Sequence, residues 1–259
     1  MALGTPVAGT VAFGAFDGPI VDWPVGIVKT DVVLVFVGFK PATANTGSVN
    51  SINDDYGSLW TQRGLLQFAG GYGATLGADT GNTTLGVYSW DSVVASPTGS
   101  LSISISNCNI SWAFVVRVPT GGGQISFGSA TGQQTSAPAT TSLFVLTNND
   151  GQFPTNFYAG DLAIWAMCIP TDVQTPTQFS SNEIAASGAI FSTGVELNEP
   201  DSSTNNDIGG FSAYAFVTAQ STLNSASIAS TLAGTRTNVR GPVVVVRIRE
   251  TNGNFFLMF

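Results

Sequence analysis

Asp31-Val-Val-Leu-Val-Phe-Val-Gly38 and Asp161-Leu-Ala-Ile-Trp-Ala-Met-Cys168 are two versions of one stretch, 130 positions apart. The echo continues downstream, where Phe114-Val-Val-Arg-Val-Pro119 lies over Val244-Val-Val-Arg-Ile-Arg249 at the same offset. Within each copy an Asp and an Arg stand 86 residues apart, as Asp31 and Arg117 and as Asp161 and Arg247. A proline follows each first apolar run, at Pro41 and Pro170. Tyr88-Ser-Trp90 is matched, with small insertions, by Tyr214-Ala-Phe216. Self-similarity at a fixed spacing means that one structural unit is written twice.

The repeated runs are strands. Val32–Val37, Ile110–Val116 and Val243–Ile248 are β-branched and aromatic over strand length, and wholly apolar runs suit strands covered on both faces. Leu101, Ile103 and Ile105 alternate with serine, the pattern of a strand with one polar face. Thirty glycines and twelve prolines between the runs supply the turns. Turn signals every 8 to 12 residues or so predict antiparallel sandwiches. Long connections at Asn45–Trp60 and Glu196–Gly210 favour Greek-key or jelly-roll wiring. The expected architecture is all-β, with two tandem β-sandwich domains, 1–120 and 121–259, joined at Gly121-Gly122-Gly123. Two segments stand apart. Gln178–Ser187 reads as one or two helical turns ahead of Gly188, and Thr222–Leu232 is open between helix and strand with turn. The shared Asp and Arg are expected to pair, or to cap turns, at the sandwich edge.

Composition narrows the function. The chain is 43% hydrophobic but only 9% charged, against roughly 25% for an average soluble domain. Its exterior must therefore be covered by Ser, Thr, Asn, Gln and Gly, as suits a rigid β surface or one covered by neighbours. A net charge of −8 with two lysines, Lys29 and Lys40, leaves no basic stripe for a nucleic-acid partner. With no histidine, the chain lacks the usual near-neutral acid/base, the histidine-based nucleophile pairs and every His-ligated metal site. No cofactor is implied, and no stretch approaches the roughly 18 consecutive apolar residues of a membrane helix. The N-terminal residues carry no basic region followed by a long apolar core, so no secretory signal is expected. Cys108, in a polar turn, and Cys168, closing an apolar strand, are expected as free, partly buried thiols.

Candidate sites are few. Acidic residues gather at Asp54-Asp55 and at Glu196, Glu199, Asp201 and Asp207, but neither group has the spacing of a Ca²⁺ loop. A carboxylate pair for glycoside hydrolysis is the only enzymatic option, and solvated loop acids are the expected reading. Trp90, Trp112 and Trp165 lie in apolar strands and belong to the core. Tyr56, Trp60 and Tyr72 fall in loops and are the candidate glycan contacts, because exposed rings stack on sugars. The stretch Phe255-Phe-Leu-Met-Phe259 (Phe255, Phe256, Leu257, Met258, Phe259) is the candidate assembly contact, since water disfavours so much apolar surface.

Several of these stretches resemble known sequences. Ala159-Gly-Asp-Leu162, Ile169-Pro-Thr-Asp172, Ala213-Tyr-Ala215 and Gly241-Pro-Val-Val-Val-Val-Arg-Ile248 are similar to the β-sandwich repeats of tailed-bacteriophage virion proteins. The first copy matches more loosely, through Thr30-Asp31 and Val116-Arg-Val118. The resemblance covers most of the chain but consists of strand and turn patterns, and it carries no functional residues across. It implies a non-enzymatic virion role, such as capsid decoration, head fibre or tail appendage, with other virion proteins as partners and the virion as location. Symmetric self-assembly is expected, a trimer first. The alternative is a glycan-binding adhesin or tail-fibre module that recognises host surface polysaccharide.

Overall fold

The computed structural model describes residues 3–42, 47–68, 83–135, 140–142, 146–147, 157–170, 179–187, 190–200, 208–219, 225–236 and 240–251. Every regular element among them is a β-strand. The first copy contains β1 (Val7–Ala8), β2 (Ala12–Ala15), β3 (Ile20–Asp22), β4 (Val32–Pro41), β5 (Ser48–Asn53), β6 (Trp60–Phe68), β7 (Thr83–Trp90), β8 (Ser100–Ser106) and β9 (Cys108–Val118). These form a large antiparallel sheet of order β1-β9-β4-β7-β6, with β2 also on β9, and a small sheet of order β3-β8-β5.

The second copy contains β10 (Gln124–Thr135), β11 (Thr140–Ser142), β12 (Leu146–Thr147), β13 (Leu162–Pro170), β14 (Phe179–Ser187), β15 (Ile190–Phe191), β16 (Val195–Asn198), β17 (Ile208–Ala219), β18 (Ser225–Arg236) and β19 (Arg240–Thr251). Its large sheet has order β10-β19-β13-β17-β15, with β16 also on β17, and β18 pairs with β11, β12 and β14 in a separate sheet. The strands β2, β9, β4 and β7 thus correspond in order to β10, β19, β13 and β17. The chain crosses repeatedly between its sheets, although β6–β7 and β16–β17 are neighbours both in sequence and within a sheet. Among the described residues, no strand pairing joins one copy to the other.

Register tests the repeat residue by residue. Val33 lies opposite Arg117 and Ala163 opposite Arg247, so the offset of 130 holds in both central strands. The aromatic echo does not hold. Leu34 faces Ser89 whereas Ile164 faces Tyr214, so Tyr214 takes the place of Ser89 and not that of Tyr88. A slip of one residue turns a side chain to the other face of its sheet. Tyr88 and Trp90 accordingly belong to the core beneath the small sheet of the first copy, while Tyr214 and Phe216 face the other copy.

The apolar runs are buried on both faces because each central strand serves two cores. In β4, Val33, Val35, Val37 and Phe39 join Val21, Leu101 and Ile103 between the sheets of the first copy. The alternate residues Val32, Leu34 and Phe36 join Phe114 and Val116 and, from the second copy, Leu162, Ile164, Val244, Val246 and Ile248. The two large sheets therefore stack face to face around a shared core. Edge strand β6 lies across from β10, and edge strand β1 across from β16. Corresponding edges thus run in opposite senses, the arrangement that an internal two-fold axis produces.

Trp112 keys this interface. Its indole is fully buried, and its Nε1 donates to the Gly209 carbonyl of the other copy at 3.3 Å. Glycines clear its slot on both sides: a Cβ on Gly210 would lie 2.6 Å from Trp112 Cζ2, and one on Gly38 would come closer still.

One expectation is corrected. Gln178–Ser187 does not form helical turns; Phe179–Ser187 is β14, laddered along Ser225–Leu232 of β18. A ten-residue Ser/Ala-rich segment is too short to hold a helix unaided, and pairing along β18 satisfies its backbone better. For Thr222–Leu232, the strand reading applies from Ser225 onward.

We predict that Gly210→Ala, which forces backbone apart at the interface, destabilises the protein by about 1–3 kcal/mol. Trp112→Ala should cost about 3–5 kcal/mol. Because the core is shared, urea unfolding of both variants followed by far-UV circular dichroism should keep a single transition.

Candidate functional site

The repeated aspartate builds the same turn twice. Asp31 Oδ2 accepts the Val28 N–H at 2.8 Å, and the Asp31 N–H returns to the Val28 carbonyl at 3.0 Å. Asp161 Oδ2 accepts the Tyr158 N–H at 2.9 Å, and its own N–H returns to Tyr158 O at 2.9 Å. The expected pairing with arginine is present, but the second partner differs. Arg117 Nε donates to Asp31 Oδ2 at 2.5 Å, whereas Asp161 is gripped by Arg249, two residues beyond its register counterpart Arg247. In the first copy the place of Arg249 is taken by Pro119, so only the arginine two residues earlier can serve.

This substitution changes the chemistry of the carboxylate. Arg249 grips Asp161 in a fork, Nε to Oδ1 and Nη2 to Oδ2, both at 2.7 Å, and stacks over the Tyr158 ring at 3.9 Å. The Asp161 hydrogen bonds hold the Arg249 guanidinium more firmly protonated than usual. At Asp31, the Val28 N–H and Arg117 both use Oδ2, and the buried Oδ1 has no hydrogen-bond partner. One copy saturates its aspartate; the other leaves an acceptor unused.

A cavity of about 240 Å³ lies at the seam where β10 meets the first copy, with Asp31 among the residues that line it. Its polar wall is Lys29, Asp31, Arg63, Ser89 and Asp91, and its apolar wall includes Trp90, Val93, Ile125 and Phe127. Arg63 lies flat on Phe127 at 4.0 Å, donates to Ser89 Oγ at 2.7 Å and reaches Asp91 at 3.5 Å. Burial lowers the Arg63 pKa, partly offset by the negative charge of Asp91. The Thr61 hydroxyl also donates to Asp91. Sequence reasoning missed Arg63, Ser89, Asp91 and Phe127. The only available signal was the rarity of Arg63, a cation inside a strand in a chain with eight lysines and arginines in all.

The aromatic candidates converge on the same region. Trp60 is not in a loop; it opens β6 opposite Trp90 and is half-buried. The rings of Trp23, Trp60 and Trp90 stack, with centroids 4.9 Å apart for Trp23–Trp90 and 5.8 Å for Trp60–Trp90. Tyr56 stands at the open end, 41% exposed and 6.1 Å from Trp90, with its hydroxyl accepting the Thr98 N–H at 2.7 Å. The Asp54 carboxylate caps the turn that presents Tyr56 by accepting the Tyr56 and Ser58 N–H groups at 2.9 and 3.1 Å. Three indole N–H groups of the stack, on Trp23, Trp60 and Trp90, are buried without an acceptor. Tyr72, Asp201, Asp207 and the stretch Phe255–Phe259 lie outside the described residues.

Both cysteines are free and buried. Cys108 does not sit in a turn: Asn107, with φ of 49°, makes the turn, and Cys108 opens β9. Burial pushes its pKa up to about 11, and that of the wholly buried Cys168 well above the ordinary value. Among the described residues, no group of three or more Cys, Asp or Glu is placed to hold a metal ion. Comparison with protein-family models, with curated proteins and with solved structures finds no match.

Two outcomes are expected. Asp161→Asn, which breaks the arginine fork, should destabilise the protein by about 2 kcal/mol in urea titrations. The Cys108 thiol is favoured in its neutral form by folding, so its contribution is intact below the ordinary pKa of 9.0 and is lost as pH rises through about 11. Thermal melts across that window should show Cys108→Ala losing less stability than the unaltered protein.

Proposed function

We propose that the protein is a non-enzymatic structural component of a tailed-bacteriophage virion, a capsid decoration, head fibre or tail appendage, that works by symmetric assembly with copies of itself and with other virion proteins. The observation that carries this reading is a group of large apolar side chains held out from the fold. Phe13, Phe16 and Ile20, on and between β2 and β3, are 44%, 71% and 65% exposed. Phe16 also holds a φ of 62°, a left-handed conformation that is costly for an aromatic residue and does nothing to bury its ring. Exposed apolar surface gains about 25 cal/mol per Å² when covered, so such a group marks a contact.

Three further features support it. The surface is poor in charge, as suits faces covered by neighbours. Antiparallel β-sandwiches, jelly rolls among them, are common in viral capsid proteins, although such folds also serve lectins and do not fix a function alone. The strand and turn patterns resemble virion repeats over most of the chain. The sticky stretch Phe255–Phe259 is assigned a second contact on sequence grounds.

Sedimentation velocity tests the proposal directly. The full chain should form a closed oligomer, a trimer on this reading, and should co-purify with intact virions at fixed stoichiometry. Phe16→Ser combined with Ile20→Ser should shift the protein to monomer without lowering its melting temperature. A chain that is monomeric at every concentration and absent from purified particles would overturn the assignment.

A further inference from the structure

We infer that β10 is a docking edge for a second copy of this chain, whose own β10 pairs with it antiparallel across a two-fold axis. This contact is distinct from the exposed group at Phe13, Phe16 and Ile20 and does not depend on it. The argument starts from how the sheet edges are finished. An edge strand presents unpaired N–H and C=O groups, and folds blunt such edges with short strands, bulges, charges or proline. Three of the four edges of the large sheets are blunted in this way. β9 is flanked by β1 and β2, which are two and four residues long. β6 carries Arg63 and slips register between Gln62 and Gly64. β17 is flanked by β15 and β16, again two and four residues long, both with register slips and one with Glu196. β10 has none of these devices. Its twelve residues contain no charge and no proline, and they ladder onto β19 without a slip from Gln124 to Thr135. The edge that is broken into β1 and β2 in the first copy is continuous in the second.

Among the described residues nothing closes the outer side of this strand, since β10 pairs with β19 alone. β6 and β12 touch it from other sheets without pairing with it. β6 spans both β10 and β19, so it lies over that pair and not beyond its edge. Gln124, Ser126 and Ser129 are exposed. The chemistry of the strand selects its occupant. Because β10 is uncharged, setting it against its own copy brings no like charges opposite each other, as a strand bearing Lys or Glu would. A two-fold axis normal to the sheet runs the two strands antiparallel and keeps each face on its own side, so residues of like parity stand opposite. The longest overlaps are then centred on Ser129 or on Ala130. In both registers Ile125 and Phe127 stay on the face that packs against the shared core. Because β1 lies across from β16 and β6 across from β10, the Phe13–Ile20 group stands on the opposite side of the stack, and both contacts can be occupied at once. A lone strand pair buries little area and is weak between free monomers, but a closed ring of copies presents several such edges together.

Cysteine cross-linking of the full-length chain at high protein concentration tests the contact. Ser129→Cys treated with a short bis-maleimide should give covalent dimers, because both registers put Ser129 within two residues of its own copy. The native Cys108 and Cys168 are buried and do not compete. Ser126→Cys, also exposed on the same strand, should react at least about tenfold more slowly, since antiparallel pairing sets the two Ser126 positions roughly 20 Å or more apart. The Ser129→Cys cross-link should persist when Phe16→Ser and Ile20→Ser are added, because the linker traps even a weak pair. In sedimentation velocity, Ser129→Lys should remove species larger than the closed oligomer while leaving that oligomer and the melting temperature unchanged. No cross-link at Ser129→Cys, or equal cross-linking at Ser126→Cys, overturns the contact. Slow hydrogen exchange along β10 without cross-linking shows the edge closed by the chain's own residues and overturns it too. Each of these results leaves the assembly proposal to its own test at Phe16 and Ile20.

Discussion

The shared core between the two large sheets is the constraint on which the rest of the molecule depends. Each large sheet is apolar on both faces, so neither copy can leave its inner face in water. Stacking the two resolves both exposures at once, and Trp112 sets how they meet. An indole between Gly38 and Gly210, bonded to the Gly209 carbonyl, permits little sliding in any direction. Everything distinctive about the seam, including the approach of β10 to β6 and the cavity beside Asp31, follows from where that interface comes to rest.

Strand identity was legible because it is local and redundant. Four of the six residues from Val32 to Val37 are valines and the rest are apolar, and that double-sided apolarity announced burial on both faces. The Asp turn was legible too, since an aspartate at a strand start with an arginine on a neighbouring strand has few structural uses. What failed, failed through register. Tyr88 and Tyr214 look equivalent in a string of letters, but the ladder partners Ser89 and Tyr214 show that they point to opposite faces. The switch from Arg247 to Arg249 was hidden for a different reason: two residues of one strand that share a face can both reach the same carboxylate. Helix in place of strand at Gln178–Ser187 was a failure of context, because the edge offered by β18 cannot be seen from that segment alone.

The candidate site was less legible than the fold. Trp60 and Tyr56 were singled out as exposed rings, and they do stand together, but the polar half of the region comes from Lys29, Arg63, Ser89 and Asp91 on three separate segments. Phe127, the surface on which Arg63 rests, comes from the other copy. No spacing rule links residues that meet only because two sheets stack. The carboxylate of Asp31 is a sharper case. Its unused oxygen depends on a proline at position 119, a residue that reads as a simple chain breaker.

The approximate two-fold relation between the copies has one further consequence. A pair of identical β units joined through such an interface would separate on dilution, and each half would also be bound to keep the same surface. Covalent connection through Pro119–Gly123 fixes the local concentration of one half around the other, so the pair persists however scarce the protein becomes. It also releases the halves from identity. One can close its aspartate with an arginine fork while the other leaves one buried oxygen without a partner, which makes the molecule a heterodimer in a single chain.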